Sequence, residues 1–424
     1  MPPRELLVIG GGLAGLAAAG RLRERGHAVT LVEATHRLGG RAWSIERPGK
    51  SPIELGAEWV ADEGAVRDLC RAHRLQLVAA HGGWLRRIGS GWQDMDGLPD
   101  LNADLIARIR RAGGADRALA AALADCCGES ALTEARSLLV AYVEGFHAAD
   151  PSRLSVRWLD EVEANQPADA ATLRLPGGTG GLIAALAASL GGATVRLGVE
   201  VRTVRWRRGS IVAEWEGGSW KGEGAIVTVP LAILKADPDD ATAIRFDPPL
   251  AEAREAASRL EMGAVVKLGV SFREPFWRSI PSLRDVLFLH GFGQPFPTWW
   301  TPPDPAEPRL TAWAGGPAAA RLASAGRDEL VDMAVRSLAG TVGIPEAEIA
   351  AQVEDAWFHD WNRDPLTRGA YSYVAVGGAH AHEALARPVE DTLYLAGEAT
   401  AGRGLNATME GAIESGRRAA DAAG

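Results

Sequence analysis

LLVIGGGLAGLAAAGRLRERGHAVTLVE, residues 6–33, reads as one strand–helix–strand unit. Residues 6–9 are a short apolar run, as in a strand buried on both faces. They lead into Gly10-Gly11-Gly12-Leu13-Ala14-Gly15, and residues 13–25 then read as an Ala/Leu/Arg helix stopped at Gly26. Residues 28–32 form a second apolar strand, closed by Glu33. In the spacing Gly10-x-Gly12-x-x-Gly15 the first glycine permits a tight turn. The second lets the backbone approach a pyrophosphate, and the third lets helix and strand pack closely. The helix N-terminus turns its free N–H groups toward phosphate. Glu33 stands where a carboxylate accepts from ribose hydroxyls. The preceding strand, the following helix and the closing acid favour dinucleotide binding over a ligand-free glycine turn.

Just past Glu33 comes Arg37-Leu38-Gly39-Gly40-Arg41. Its glycines allow close backbone approach, and its arginines can neutralise phosphate. Its place directly behind the first unit favours phosphate contact over a solvated basic loop.

Composition narrows the rest. A chain of 424 residues is long enough for two or three domains. With 47% hydrophobic and 23% charged residues it has the make-up of a globular protein with a sizeable core. A net charge of −9 is a poor match to non-specific nucleic-acid binding. Cys70, Cys126 and Cys127 make neither a disulfide framework nor a zinc-type spacing, so we expect a reducing, cytoplasmic setting and no metal. His380-x-His382 has no third ligand at a convincing spacing. No apolar run reaches the ~18 residues of a membrane span, and we expect no secretory leader.

Residues 60–165 read as mostly helical, and an Ala-rich helix is expected over 182–190. Residues 195–204, 211–215, 225–229, 262–272 and 391–395 read as strands, with a final helix over about 408–420. Residues 275–317, rich in Pro and Trp, fit no pattern. The expected fold is α/β with two domains. A cofactor domain with a Rossmann-like βαβ unit would be assembled from residues 1–80, 176–260 and 388–424. A mixed α/β substrate domain would comprise residues 81–175 and 261–387, with the ligand at the junction.

On these residues the chain resembles the flavin-containing amine oxidase family, which includes monoamine oxidases, polyamine oxidases and lysine-specific histone demethylases. The resemblance implies a two-domain FAD-binding fold. Gly10, Gly12, Leu13, Ala14, Gly15, Glu33, Ala34, Gly39, Gly40 and Arg41 would surround the nucleotide. Val201 resembles a position whose backbone meets adenine. Residues 54–59, ELGAEW, are similar to the segment beside the flavin ring, which assigns Gly56, Ala57, Glu58 and Trp59 to the cofactor. Amino-acid oxidase relatives carry an arginine near the end of that segment to grip a substrate carboxylate. Trp59 stands there instead, which argues against an α-amino-acid substrate.

Lys267 is one of only four lysines in the chain. Period-2 alternation puts Met262, Ala264, Val266, Leu268, Val270 and Phe272 on one strand face, and Gly263, Val265, Lys267, Gly269 and Ser271 on the other. By itself Lys267 could snorkel from an edge strand. Residues 263–277, GAVVKLGVSFREPFW, resemble the family strand whose lysine holds a water at flavin N5.

Residues 361–365 (WNRDP) and 368–373 (RGAYSY) resemble the family loop with an aromatic residue against the flavin and a tyrosine in the substrate cage. Trp361 and Tyr371 match those places, and a tyrosine face can steer an amine nitrogen. Monoamine oxidases carry a flavin-linked cysteine just before this tyrosine. Ala370 stands here, so non-covalent FAD is implied. Residues 395–400 (LAGEAT) and 406–412 (NATMEGA) resemble the C-terminal flavin segment. Gly397 and Glu398 match its backbone and ribityl or phosphate contacts. Thr408 and Met409 open a helix whose N-terminus would face flavin N1 and C2=O, where its dipole favours negative charge. Thr408 also stands where monoamine oxidases have a second cage tyrosine; the polyamine-oxidase and demethylase branches are closer there.

The resemblance implies oxidation of a small-molecule amine. Hydride would pass from the α-carbon to flavin N5, the imine would hydrolyse, and O2 would be reduced to hydrogen peroxide. Lys267, Trp361 and Tyr371 would be the catalytic residues, with Tyr371, Thr408 and Trp59 against the substrate. Monoamines, polyamines and N-methyl amines all fit. Asp62, Glu63 and Glu144 read as solvated acids rather than polycation contacts. Two alternatives are a desaturase or porphyrinogen-type oxidase acting on C–C bonds, and a flavin-binding scaffold without turnover. Lys267 counts against the first and the intact site residues against the second.

Overall fold

The computed structural model describes residues 2–165, 172–402 and 404–424. A five-stranded sheet has the order Thr194–Leu197, Ala28–Glu33, Glu5–Ile9, Gly224–Val227, Leu393–Leu395, with every pairing parallel. Both of its faces are covered, which is why its inner strands are unbroken apolar runs. Leu6 and Val8 pack with Leu13 and Leu16 of the helix Leu13–Glu24 and with Ile413 of the helix Met409–Ala423. Leu7 and Ile9 pack on the other side with Val204, Ile211 and Ala213. The two helices touch so closely that a Cβ on Gly416 would lie 2.1 Å from the Ala14 carbonyl oxygen.

A four-stranded sheet, Gly218–Gly222, Ser210–Trp215, Val201–Arg207 and Arg245–Asp247, lies on this second face. The expected single strand over 195–204 is therefore two. Thr194–Leu197 belongs to the parallel sheet and Val201–Arg207 to the four-stranded one. Gly198, at φ +70°, takes the chain through the change.

A seven-stranded sheet has the order Val353–Phe358, Val265–Phe272, Arg309–Gly315, Thr298–Trp300, Val286–His290, Gly83–Ile88, Gly91–Asp94. Val266, Leu268, Val270, Phe272, Leu310 and Ala312 pack beneath Leu330, Ala334 and Leu338 of the helix Arg327–Val342. Register places Lys267 beside Trp313, Trp313 beside Thr298 and Thr298 beside His290 on the opposite face. The next row of that face holds Gly269, Thr311, Trp300, Phe288 and Trp84. The predicted alternation of the lysine strand thus holds over Val265–Phe272, and Lys267 sits on an inner strand rather than an edge.

The structure corrects one further expectation and adds to two others. The strand over 262–272 breaks at Ala264, because Leu260–Gly263 pairs with Tyr371–Val374 while Val265–Phe272 pairs within the large sheet. Residues 60–165 contain the expected helices Leu98–Ala112, Leu119–Cys126, Thr133–Phe146 and Val156–Asn165, but also the hairpin Gly83–Ile88/Gly91–Asp94. Residues 275–317, which matched no pattern, supply three strands of the large sheet. None of the helices described is long and apolar enough to cross a membrane.

Candidate active site

The glycine loop is shaped by close contacts. Gly10 has φ +108°, and a Cβ on Gly15 would lie 1.9 Å from the Gly10 carbonyl oxygen. Gly12 differs: a Cβ there would meet only Gly40 Cα, at 3.9 Å. Gly12 caps the helix Leu13–Glu24 without a side-chain hydrogen bond, so the N–H groups of the first turn, Leu13 and Ala14 among them, have no intrahelical or capping partner. The Gly39 N–H donates to the Gly11 carbonyl at 2.8 Å, bringing the Arg37–Arg41 loop over this opening. Arg37 lies 4.1 Å above the Trp43 ring, and its buried Nη1 has no partner. Glu33 accepts from Gly11 N at 2.6 Å and from Thr35 N and Oγ1 at 2.8 Å each. Val199 N donates to the Glu33 carbonyl, so the segment leading to Val201 runs beside Glu33 and Ala34. An open glycine cradle, uncapped helix N–H groups and an unpartnered guanidinium nitrogen suit a dinucleotide pyrophosphate.

Blocks far apart in sequence converge next to this cradle. Arg41 Nη1 donates to the Ala370 carbonyl at 2.8 Å and to Glu398 Oε1 at 2.9 Å. Glu398 is buried, and its Oε2 accepts from Ser372 Oγ at 2.6 Å and from Ala407 N at 3.0 Å. Gly397, at φ +127°, turns the chain before Glu398. Trp361 is buried, and its indole N–H donates to the Leu55 carbonyl at 2.8 Å. Asn362 bonds both backbone groups of Val265, tying the tryptophan loop to the lysine strand. Gly56 is required where it stands, since a Cβ there would lie 1.8 Å from the Arg41 carbonyl oxygen. Ala57 N donates to that same carbonyl.

Lys267, 3% exposed, donates from Nζ to the Gly56 carbonyl and to Glu58 Oε2, each at 2.9 Å. The other Glu58 oxygen binds Arg174 Nη2, and the Trp300 indole N–H donates to Oε2 at 3.2 Å. Burial alone would raise the Glu58 carboxyl, but Arg174 and Lys267 outweigh it and hold the group down at about 2. Arg174 lies 4.6 Å above the Trp59 ring, and Trp59 also packs on Phe288 and Trp300.

Tyr371 lies beside Gly263 in register, and its hydroxyl donates to the Phe146 carbonyl at 2.9 Å. Burial, then the Glu398 charge, raises this phenol above its usual range. The Thr408 side chain accepts from Gly411 N at 2.9 Å and caps the final helix, which begins at a buried Met409. Glu410, in its first turn, is pushed up to about 7 by burial; Ala61 N, at 3.4 Å, is its contact from outside the helix.

Sequence reasoning named Glu58 as a cofactor contact but not as the partner of Lys267, and it missed Arg174, Trp300 and Asn362. Arg174 and Trp300 carry no local signal, being 116 and 242 residues from Glu58. Among the described residues no cluster of His, Cys, Asp and Glu could hold a metal.

A βαβ nucleotide cradle is thus joined, through the Arg41–Gly56 contact, to a sheet that carries a buried lysine. The sequence pattern of the family "Flavin containing amine oxidoreductase" matches residues 99–423, and that of an NAD(P)-binding Rossmann-like domain matches residues 8–72. The chain belongs to the flavin-containing amine oxidoreductase family. Its cofactor is FAD, and Ala370 stands where a covalent link would need cysteine. It is 29% identical to Polyamine oxidase 1 of Oryza sativa subsp. japonica, over 93% of this chain and 92% of that one. It is also 29% identical to the Lysine-specific histone demethylase 1 homolog 1 of the same plant, over 99% of this chain but only 52% of the longer relative. In structure it resembles a putrescine oxidase bound to putrescine (TM-score 0.80, 22% identity, 99% of this chain and 98% of that one). The cyclohexylamine oxidase of Brevibacterium oxydans IH-35A is similarly close (TM-score 0.82, 20% identity, 100% and 99%).

Proposed function

We propose that this protein oxidises a small amine at the carbon bearing nitrogen and uses O2 as the electron acceptor. The supporting observation is Lys267, buried on the large sheet and bonded to the carbonyl of Gly56, which packs against the Arg37–Arg41 loop. Bound FAD supplies the redox chemistry, accepting a hydride at N5 and passing the electron pair to O2 to give hydrogen peroxide. Leu13 and Ala14 N–H groups, with Arg37, would hold the pyrophosphate. Glu33 would accept from ribose hydroxyls, and the first turn after Thr408 would face the ring edge that gains negative charge. Trp361, locked by its bond to Leu55, would wall the ring. Lys267 would hold the water beside N5, the nucleophile available to hydrolyse the imine to carbonyl compound and amine.

Tyr371 would turn its ring face to the amine nitrogen, while Trp59, whose face is covered by Arg174, would serve as an apolar wall. The carboxylate nearest Lys267, Glu58, is already paired with two cations, and Arg174 is held by Glu58 and the Thr301 carbonyl. An amine with an apolar body therefore suits this wall better than a polyamine or an amino acid.

The test is to mix the FAD-loaded protein anaerobically with a panel of monoamines, polyamines and N-methyl amines, then admit air. At least one amine should bleach the flavin, and air should restore its colour with one peroxide per amine consumed. Flavin that stays oxidised with every member would defeat the reading.

A further inference from the structure

We propose that Glu58 is the positioning residue for the flavin lysine: its buried carboxylate, anchored by Arg174 and the Trp300 indole, fixes the Lys267 side chain and keeps it an ammonium beside the ring. The inference rests on the flavin reading of the site but not on which amine is oxidised.

An ammonium has three N–H donors. Two are taken, by the Gly56 carbonyl and Glu58 Oε2, both at 2.9 Å. One donor remains, and the two bonds fix the side chain that carries it. Gly56, which carries that carbonyl, packs directly against the Arg41 carbonyl.

Glu58 is held from three directions by residues of three different strands. Arg174 comes from Thr172–Arg174, Lys267 from Val265–Phe272 and Trp300 from Thr298–Trp300. The Arg174 guanidinium is fixed in turn by the Thr301 carbonyl and the Trp59 face. Burial disfavours a charged ammonium, and an anion at contact distance favours it. Two other charged groups approach the cluster. Glu54 bonds Ser44 and Thr179, burial raises its carboxyl, and it acts on Lys267 through space rather than by a hydrogen bond. Arg309 is a further cation, bonded to the Pro52 carbonyl and paired with Glu307. Among the described residues Glu58 makes the ion pair to Lys267. Without it, Lys267 would lie beside Arg174 with no anion in contact, a setting that favours the neutral amine.

The test follows the visible spectrum of the bound, oxidised flavin from pH 6 to 9 in the wild type, E58Q, E58D and E58Q/K267M. E58Q should show a one-proton transition that the wild type lacks. E58D, which restores the carboxylate, and E58Q/K267M, which removes the titrating amine, should both lose it. If E58Q does not yield a folded flavoprotein, E58Q/R174Q removes one charge of each sign and is read the same way. Absence of the transition in the folded glutamine variant, or its persistence in E58Q/K267M, would overturn the proposal. A second readout is the rate at which air reoxidises dithionite-reduced flavin. It should fall at least tenfold from pH 6 to 9 in E58Q but not in E58D; a fall of less than twofold would also count against the proposal. Dithionite bypasses the amine, so these results stand even if every amine tested proves inert.

Discussion

Arg41 and Glu398 lie 357 residues apart in sequence, yet their side chains meet at 2.9 Å. This ion pair closes the site. It joins the loop after the first βαβ unit to the C-terminal segment around Glu398, and through the Ala370 carbonyl to the tyrosine loop. Glu398 is nearly fully buried, while the arginine side chain stays partly exposed.

Replacing Arg41 with Met should therefore affect more than phosphate binding. It leaves a buried carboxylate without its cation, a loss of about 2 kcal/mol for a charged hydrogen bond. Urea unfolding of the FAD-free protein should register that loss. A stability equal to the wild type would mean that Arg41 acts on the cofactor alone.

Gly12 and Gly15 should respond differently to one methyl group. Ala at 15 would collide with the Gly10 carbonyl and disturb the first βαβ unit, so the variant should unfold early or fail to accumulate. Ala at 12 meets no protein atom closer than 3.9 Å, so G12A should fold normally and bind FAD at least tenfold more weakly. The measurement is a thermal melt of each variant beside a flavin titration. Equal FAD affinity in G12A and wild type would contradict the cradle as placed.

Glu410 ties stability to pH. Its folded carboxyl lies at about 7 against an ordinary value of 4.5, because burial penalises the charged form. A raised value means the stabilising contribution is complete below 4.5 and lost as pH rises through 7. The difference corresponds to about 3 kcal/mol above pH 8. E410Q should thus be more stable than wild type at pH 8, by about 2 kcal/mol, and nearly equal to it at pH 4.5. A constant difference across that interval would show that burial of this carboxyl is not the cause.

Much of this architecture is legible in local pattern. The two short apolar runs around the glycine spacing show both faces of the parallel sheet to be covered. The alternation around Lys267 separates its core face from its site face, because a strand's side chains alternate strictly. Other features are not local. The break at Ala264 arises where the ladder partner changes from Tyr371–Val374 to the large sheet, and nothing in residues 260–272 records that exchange. The Glu58–Arg174–Trp300 cluster depends on three chain segments meeting, and each residue alone reads as ordinary. Trp300 falls in a Pro- and Trp-rich stretch whose three strands carry too little alternation to be seen.

The most direct test of the central claim is anaerobic flavin reduction by an amine, compared between wild type and Lys267→Met. Loss of Lys267 leaves Glu58 still bound by Arg174 and Trp300, so the variant should fold and retain FAD. The wild type should bleach with a substrate amine and recover in air with release of peroxide. The variant should complete that cycle on the order of 100-fold more slowly. Equal cycling in the two proteins, with flavin bound in both, would contradict the role given to Lys267 and the account built on it.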